Sequence, residues 1–165
     1  MKIHISLACQ QLFLLDDAGK PHAIFPVSTS VNGAGEREGS GQTPRGRHFI
    51  RAKIGEGCPL GTVFSGRRPT GEIWTPELAA TQPARDWILT RILWLCGAEP
   101  GINRGHDAAG HCVDSQRRYI YIHGCTDSAP MRVPHSHGCI RMRNVDMHTL
   151  FNATPVYTEV LITEE

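Results

Sequence analysis

From Ile3 to Leu15 apolar residues alternate with polar ones or stand in short runs, and Asp16-Asp17-Ala18-Gly19-Lys20 then reads as a turn. The pattern predicts an opening strand. Ala23-Ile24-Phe25-Pro26-Val27-Ser28-Thr29-Ser30 predicts a second, with Pro26 pointing to an edge or a bulge. Between Asn32 and Arg47 the pattern lapses, and Gly33, Gly35, Gly39, Gly41 and Gly46 among charged residues predict a flexible surface loop. A strand resumes at His48 and runs to Ile54. From Ala84 to Cys96 the residues Trp87, Ile88, Ile92, Trp94 and Leu95 fall mostly on one helical face, with Pro83 before and Gly97 after as start and stop signals. That spacing predicts the main helix. Arg118 to Ile122 is β-rich and would deliver His123-Gly124 at the end of a buried strand. A short helix is expected from Asn144 or Asp146 through Met147, Leu150 and Phe151, and Val156 to Thr163 closes the chain as a strand. The expected architecture is mostly β, a mixed α+β fold with one substantial helix and one or two short ones.

Length makes this a single domain, residues 1–165, with one active site to look for. Hydrophobic residues make up 40% and charged residues 20%, the composition of a globular chain. A net charge of +1 without runs of like charge argues against a nucleic-acid partner. No apolar stretch is long enough to span a bilayer, so membrane insertion is not expected. The first residues alternate and lead to no small-residue cleavage site, so they read as a strand rather than a leader. Six cysteines (Cys9, Cys58, Cys96, Cys112, Cys125 and Cys139) are scattered without a disulfide-scaffold spacing. Reduced thiols in the cytoplasm are the expectation, with a periplasmic location as the alternative if a leader precedes this sequence. The glycine-rich loop lacks the Lys-Ser/Thr ending of a phosphate-binding loop.

Chemistry concentrates in two short segments. Ile122-His123-Gly124 is followed, thirteen positions after His123, by Ser136-His137-Gly138-Cys139-Ile140-Arg141-Met142. A cysteine becomes a strong nucleophile when an imidazole within hydrogen-bond reach raises its thiolate fraction, and His123 and His137 are the candidates. Gly138 permits a tight turn, so the amides of Gly138 and Cys139 are candidate donors to a developing oxyanion. A free cysteine is more often a small buried hydrophobe. Two glycine-flanked histidines and an arginine close to Cys139 favour the catalytic reading instead.

These residues resemble the YkuD-type L,D-transpeptidases, whose hallmark is a histidine followed at moderate spacing by Ser/Thr-His-Gly-Cys. The match is His123-Gly124 and Ser136 to Asn144, and it extends weakly through Phe25-Pro26-Val27-Ser28-Thr29 and Thr43-Pro44-Arg45-Gly46. The resemblance implies a YkuD-like catalytic β-sandwich or barrel acting on murein stem tetrapeptides, with no cofactor. The bond before the terminal D-alanine would be cleaved through a Cys139 thioester. Cys139 would be the nucleophile, His123 the base, and the Gly124 carbonyl the group that fixes the imidazole tautomer. His137 and Ser136 would support the oxyanion pocket with Gly138, and Arg141 would hold its loop or bind a substrate carboxylate. The His123-to-Ser136 loop is short for the family, which implies a less covered pocket. Cys125, two positions beyond His123, is a candidate to approach and pair with Cys139.

Two rivals remain at this level. His135, His137 and Cys139 alternate, and on a strand they would present three zinc ligands on one face, with His106, His111 and Cys112 as further candidates. A non-catalytic murein-binding module is the other, although it would have no use for both Cys139 and His123. A cytoplasmic enzyme would meet released wall fragments and abundant water, so the expected activity is that of an L,D-carboxypeptidase. Cross-linking or D-amino-acid exchange is the alternative for an exported enzyme.

Overall fold

The computed structural model describes residues 1–165 and contains ten strands and two helices. The strands are β1 (Lys2–Ser6), β2 (Gln11–Leu15), β3 (Pro21–Ser28), β4 (Gly46–Ile54), β5 (Thr62–Ser65), β6 (Arg68–Ile73), β7 (Ile88–Gly97), β8 (Tyr121–Gly124), β9 (Ile140–Met142) and β10 (Glu159–Thr163). The helices are α1 (Pro76–Thr81) and α2 (Asn144–Ala153). All strands join one sheet in the order β4-β10-β1-β2-β3-β9-β8-β7-β5-β6, and a further β4–β7 pairing closes eight of them into a barrel. Closure removes the open edges that an isolated sheet would expose. The β5–β6 hairpin branches off β7 outside the ring.

Alternation puts Ile3 and Ile5 of β1, Leu12 and Leu14 of β2, and Val160 and Ile162 of β10 into one interior cluster. Met147, Leu150 and Phe151 of α2 join it, so this helix seals the barrel. Each such side chain contributes roughly 1.5–3 kcal/mol on burial. The segment expected to be one strand from Ile3 to Leu15 is a hairpin. Its turn includes Gln10 in a left-handed conformation, its side-chain amide donating to Leu7 and Thr29.

The main helix expected over Ala84 to Cys96 is not formed; Ile88–Gly97 is the ten-residue strand β7. The reason is burial on both faces. Strand β7 pairs with β4, β5 and β8, and buries Leu89 through Leu93 and Leu95 through Gly97, which erases two-residue alternation. A bulge between Leu89 and Ile92 then shifts the phase of what remains, imitating a helical spacing. The actual helix before it, α1, carries an ordinary start signal in Thr75-Pro76-Glu77: the Thr75 hydroxyl accepts the Leu78 amide at 3.1 Å. Strands β5 and β6 were also unannounced by the sequence pattern. The expected C-terminal helix and closing strand are present as α2 and β10.

Strands β8 and β9 are parallel neighbours, with Ile122 beside Ile140, His123 beside Arg141 and Gly124 beside Met142. Ile122, Ile140 and Met142 face the core. His123 and Arg141 therefore share the opposite face.

Candidate active site

Extending the β8–β9 register one step places Cys139 beside Tyr121, on the His123 face and one strand over. The backbone bears this out, since the Tyr121 amide donates to Cys139 Sγ at 3.4 Å. The thiol in turn donates to the Tyr119 carbonyl at 3.4 Å. Burial pushes the Cys139 thiol up to about 11, against the opposing pull of the Tyr121 amide, Arg141 and Arg118, while Asp86 adds to the rise. Cys139 at rest is a thiol.

His123 is completely buried. Its Nδ1–H donates to the Gly124 carbonyl at 2.7 Å, which fixes the tautomer and leaves Nε2 unprotonated. Nε2 has no hydrogen-bond partner. Burial lowers the imidazole's affinity for a second proton, only partly offset by the Gly124 carbonyl and Asp86, so the ring is neutral near pH 7. An unpartnered buried acceptor on the face that carries a thiol is suited to receive that thiol's proton.

Gly124 is glycine for lack of room. A Cβ there would collide with Asn144 Oδ1 and stand 2.6 Å from the Leu89 carbonyl oxygen. Asn144 Nδ2 donates to the Cys125 carbonyl at 3.0 Å, and its Oδ1 accepts from Thr90 Oγ1 at 2.6 Å. Thr90 sits in the β7 bulge with φ 72°, an unusual conformation for a β-branched residue. The bulge thus aims the hydroxyl that orients the asparagine behind His123-Gly124.

The turn before Cys139 is tied from two directions. Ser136 Oγ donates to the Cys139 carbonyl at 2.6 Å and accepts the Gly138 amide at 3.3 Å. Gly138 has φ 132°, and an added Cβ would lie 3.3 Å from the Gln42 carbonyl oxygen. Thr43 Oγ1 donates to the Gly138 carbonyl at 3.0 Å. Of the two amides expected to serve an oxyanion, that of Gly138 is therefore turned toward Ser136, and that of Cys139 makes no hydrogen bond within the fold. The glycine-rich loop is not a loose flap either. Arg118 donates to the carbonyls of Gly35, Glu36 and Gln42, clamping it against the Cys139 turn.

Arg141 is almost wholly buried and binds protein on both arms of its fork: Nη1 to the His135 carbonyl at 3.0 Å and Nη2 to Asp86 Oδ1 at 3.0 Å. This geometry holds the loop. His137 is exposed and makes no side-chain hydrogen bond. The zinc alternation fails on conformation, because Ser136 makes an isolated bridge to Ser30, residues 137–139 bend and the strand starts only at Ile140; His135 Nδ1 faces Arg141 at 3.3 Å. The expected Cys125–Cys139 approach is also corrected. All six cysteines are free, and Cys125, just past the end of β8, lies four residues along the chain from the level of Cys139, about 13 Å away where a disulfide needs under 7 Å. Its thiol donates to the Met142 carbonyl instead.

A groove of about 690 Å³ opens beyond Arg141, with Asp86, Trp87, Cys125, His135 and His137 on its walls. Cys139 and His123 stand next to this groove rather than on its surface.

A family model for the L,D-transpeptidase catalytic domain (YkuD) matches residues 1–162. The chain belongs to that family. Solved structures agree on the fold. An L,D-transpeptidase from Xylanimonas cellulosilytica is 21% identical with a TM-score of 0.54, covering 98% of this chain and 59% of its own. One from Mycobacterium smegmatis is 16% identical with a TM-score of 0.54, covering 98% and 57%. L,D-transpeptidase 3 from Mycobacterium tuberculosis, in complex with a faropenem-derived adduct, is 16% identical with a TM-score of 0.56, covering 98% and 59%. The chain thus spans less than two thirds of the length of these solved proteins. No curated protein matches the chain.

Within this L,D-transpeptidase domain, sequence reasoning missed Asp86, Thr90, Arg118 and the two tyrosines that frame Cys139. Asp86 and Thr90 fell inside or beside the segment taken for a helix, which hid their direction. Thr43 lies in a stretch of weak resemblance, and its partner Gly138 is far away in sequence.

Proposed function

We propose that the chain is a cysteine acyltransferase of murein stem tetrapeptides that cleaves between the third residue and terminal D-alanine, with water as its main acceptor. The supporting observation is the buried, unpartnered Nε2 of His123, its tautomer fixed by Gly124, on the face that carries Cys139. As Sγ attacks the scissile carbonyl carbon, Nε2 takes the thiol proton. The Cys139 amide donates to the developing oxyanion, a contact typically worth about 3 kcal/mol of barrier. The imidazolium then protonates the departing amine, D-alanine leaves, and a thioester remains on Cys139. Nε2 next takes a proton from water as it attacks the thioester and passes it to the departing Cys139 sulfur, and the tripeptide is released. Burial disfavours a standing thiolate–imidazolium pair, so charge separates only during attack.

Water is favoured by the charges of the groove. An amine acceptor arrives as a cation, yet the only carboxylate on the groove walls, Asp86, is already paired with Arg141, and Arg85 is likewise paired with Glu72, so the walls offer no free anion. Water needs no such anchor. We assign the activity to the cytoplasm, where the six unpaired thiols would remain reduced and released stem peptides are the available substrate. Incubating the protein with a tetrapeptide and an excess of a D-amino acid, then weighing the products, tests the acceptor. Tripeptide should predominate; exchange product in excess of tripeptide would make the chain a transpeptidase.

A further inference from the structure

Arg141 holds more of His135 than its carbonyl. The arm of the fork that donates to that carbonyl at 3.0 Å also lies 3.3 Å from Nδ1 of the same residue. A guanidinium only donates, so Nδ1 accepts and the neutral imidazole carries its hydrogen on Nε2. His135 is exposed and stands on the wall of the groove beyond Arg141, so the edge left open is the one with Nε2–H.

The ring is anchored despite this exposure. The His135 amide donates to the Thr29 carbonyl at 2.9 Å, and the second arm of Arg141 is fixed on Asp86 at 3.0 Å. By contrast, His137 on the same wall makes no side-chain hydrogen bond, and the hydroxyls of Thr126 and Ser128 meet only each other, at 3.2 Å.

In the proposed reaction the leaving residue passes this place. Sγ of Cys139 meets the backbone of Tyr121, and His123, which protonates the departing amine, is level with Arg141 on the parallel strand. From scissile carbonyl to amine, the donor is thus directed toward Arg141 and the groove beyond it. The terminal carboxylate follows two bonds after the amine. No free anion opposes it there, because the Asp86 charge is matched by Arg141.

We propose that His135 Nε2–H binds the C-terminal carboxylate of the acyl donor and so confines cleavage to the last bond of the stem. This rests on the reading of Cys139 as the nucleophile toward stem tetrapeptides. A hydrogen bond to a charged acceptor is roughly twice as strong as one to a neutral carbonyl, so a donor ending in an amide binds less well.

Two substrates test this, a stem tetrapeptide ending in D-alanine and the same peptide ending in D-alanine amide, each with the full chain and its His135→Gln and His135→Leu variants. The wild type should favour the free acid by about tenfold in kcat/KM, mostly through KM. His135→Leu should lose that preference by slowing the free acid alone, while His135→Gln, which keeps a side-chain N–H, should retain part of it. The backbone carbonyl that Arg141 grips stays in both variants, and a disturbed fold slows acid and amide together. A wild type indifferent to the two ends, a ratio unmoved in His135→Leu, equal losses on both substrates, or a His135→Gln as indifferent as His135→Leu overturns the role of His135 alone. Failure of the wild type to release D-alanine from the tetrapeptide overturns the substrate assignment as well.

Discussion

The Cys139 thiol donates to the carbonyl of Tyr119 at 3.4 Å, and that carbonyl is placed there by a left-handed Tyr119, φ 56°. The resting proton is thus held by the turn that leads into β8 and not by the imidazole. Substrate binding must turn the S–H toward Nε2 before attack. Reactivity is therefore tied to occupancy of the site, a useful property in a protein whose nucleophile is only half-buried.

The thiol's behaviour with pH follows. With the folded value pushed up to about 11 from 9.0, thiolate is scarce at neutrality and grows about tenfold per pH unit until that region. Alkylation of Cys139 by iodoacetamide in the substrate-free protein should be slow at pH 7 and climb steadily through pH 10. A thiolate absorbance that titrates near pH 6 would contradict it. The same shift carries a stability sign: unfolded chain loses this proton first above pH 9, so folding should weaken as pH rises from 9 toward 11.

Gly124→Ala should damage both stability and rate. Its Cβ would meet the Leu89 carbonyl and Asn144 Oδ1, which cannot move without freeing the Thr90 and Cys125 contacts. A loss on the order of 2–4 kcal/mol is expected in chemical denaturation. Asn144→Ala, by contrast, introduces no clash but removes the contacts to Thr90 and Cys125 that support His123-Gly124, so kcat should fall further than stability does. Equal losses in both measurements for Asn144→Ala would deny it a positioning role.

Arg141→Lys tests whether the fork matters. Lysine keeps the charge but cannot span the His135 carbonyl and Asp86 together. Activity should fall roughly tenfold or more, and Asp86→Asn in the same background should add little, because the pair acts as a unit. Additive effects in a double-mutant cycle would separate Asp86 from Arg141.

Much of the site was legible because its chemistry is local in sequence. His123-Gly124 and Ser136 to Arg141 lie within nineteen residues, and adjacent parallel strands bring them into register. The barrel was legible where one face of a strand meets solvent, as in β1, β2 and β10, with their alternating burial. It was not legible in β7, whose two buried faces and bulge mimic a helix. Long-range partners were equally hidden. Asp86 meets Arg141 across 55 residues, and Thr43 meets Gly138 across 95, so neither pairing leaves a local pattern.

In the proposed reaction Cys139 takes up the acyl group of a stem tetrapeptide covalently. Rapid-quench mass spectrometry of the protein mixed with tetrapeptide measures it directly. The expected result is an adduct equal to the tetrapeptide less D-alanine, mapped to Cys139, transient in the wild type and absent, along with all D-alanine release, in Cys139→Ala. D-alanine released by Cys139→Ala at the wild-type rate would contradict it.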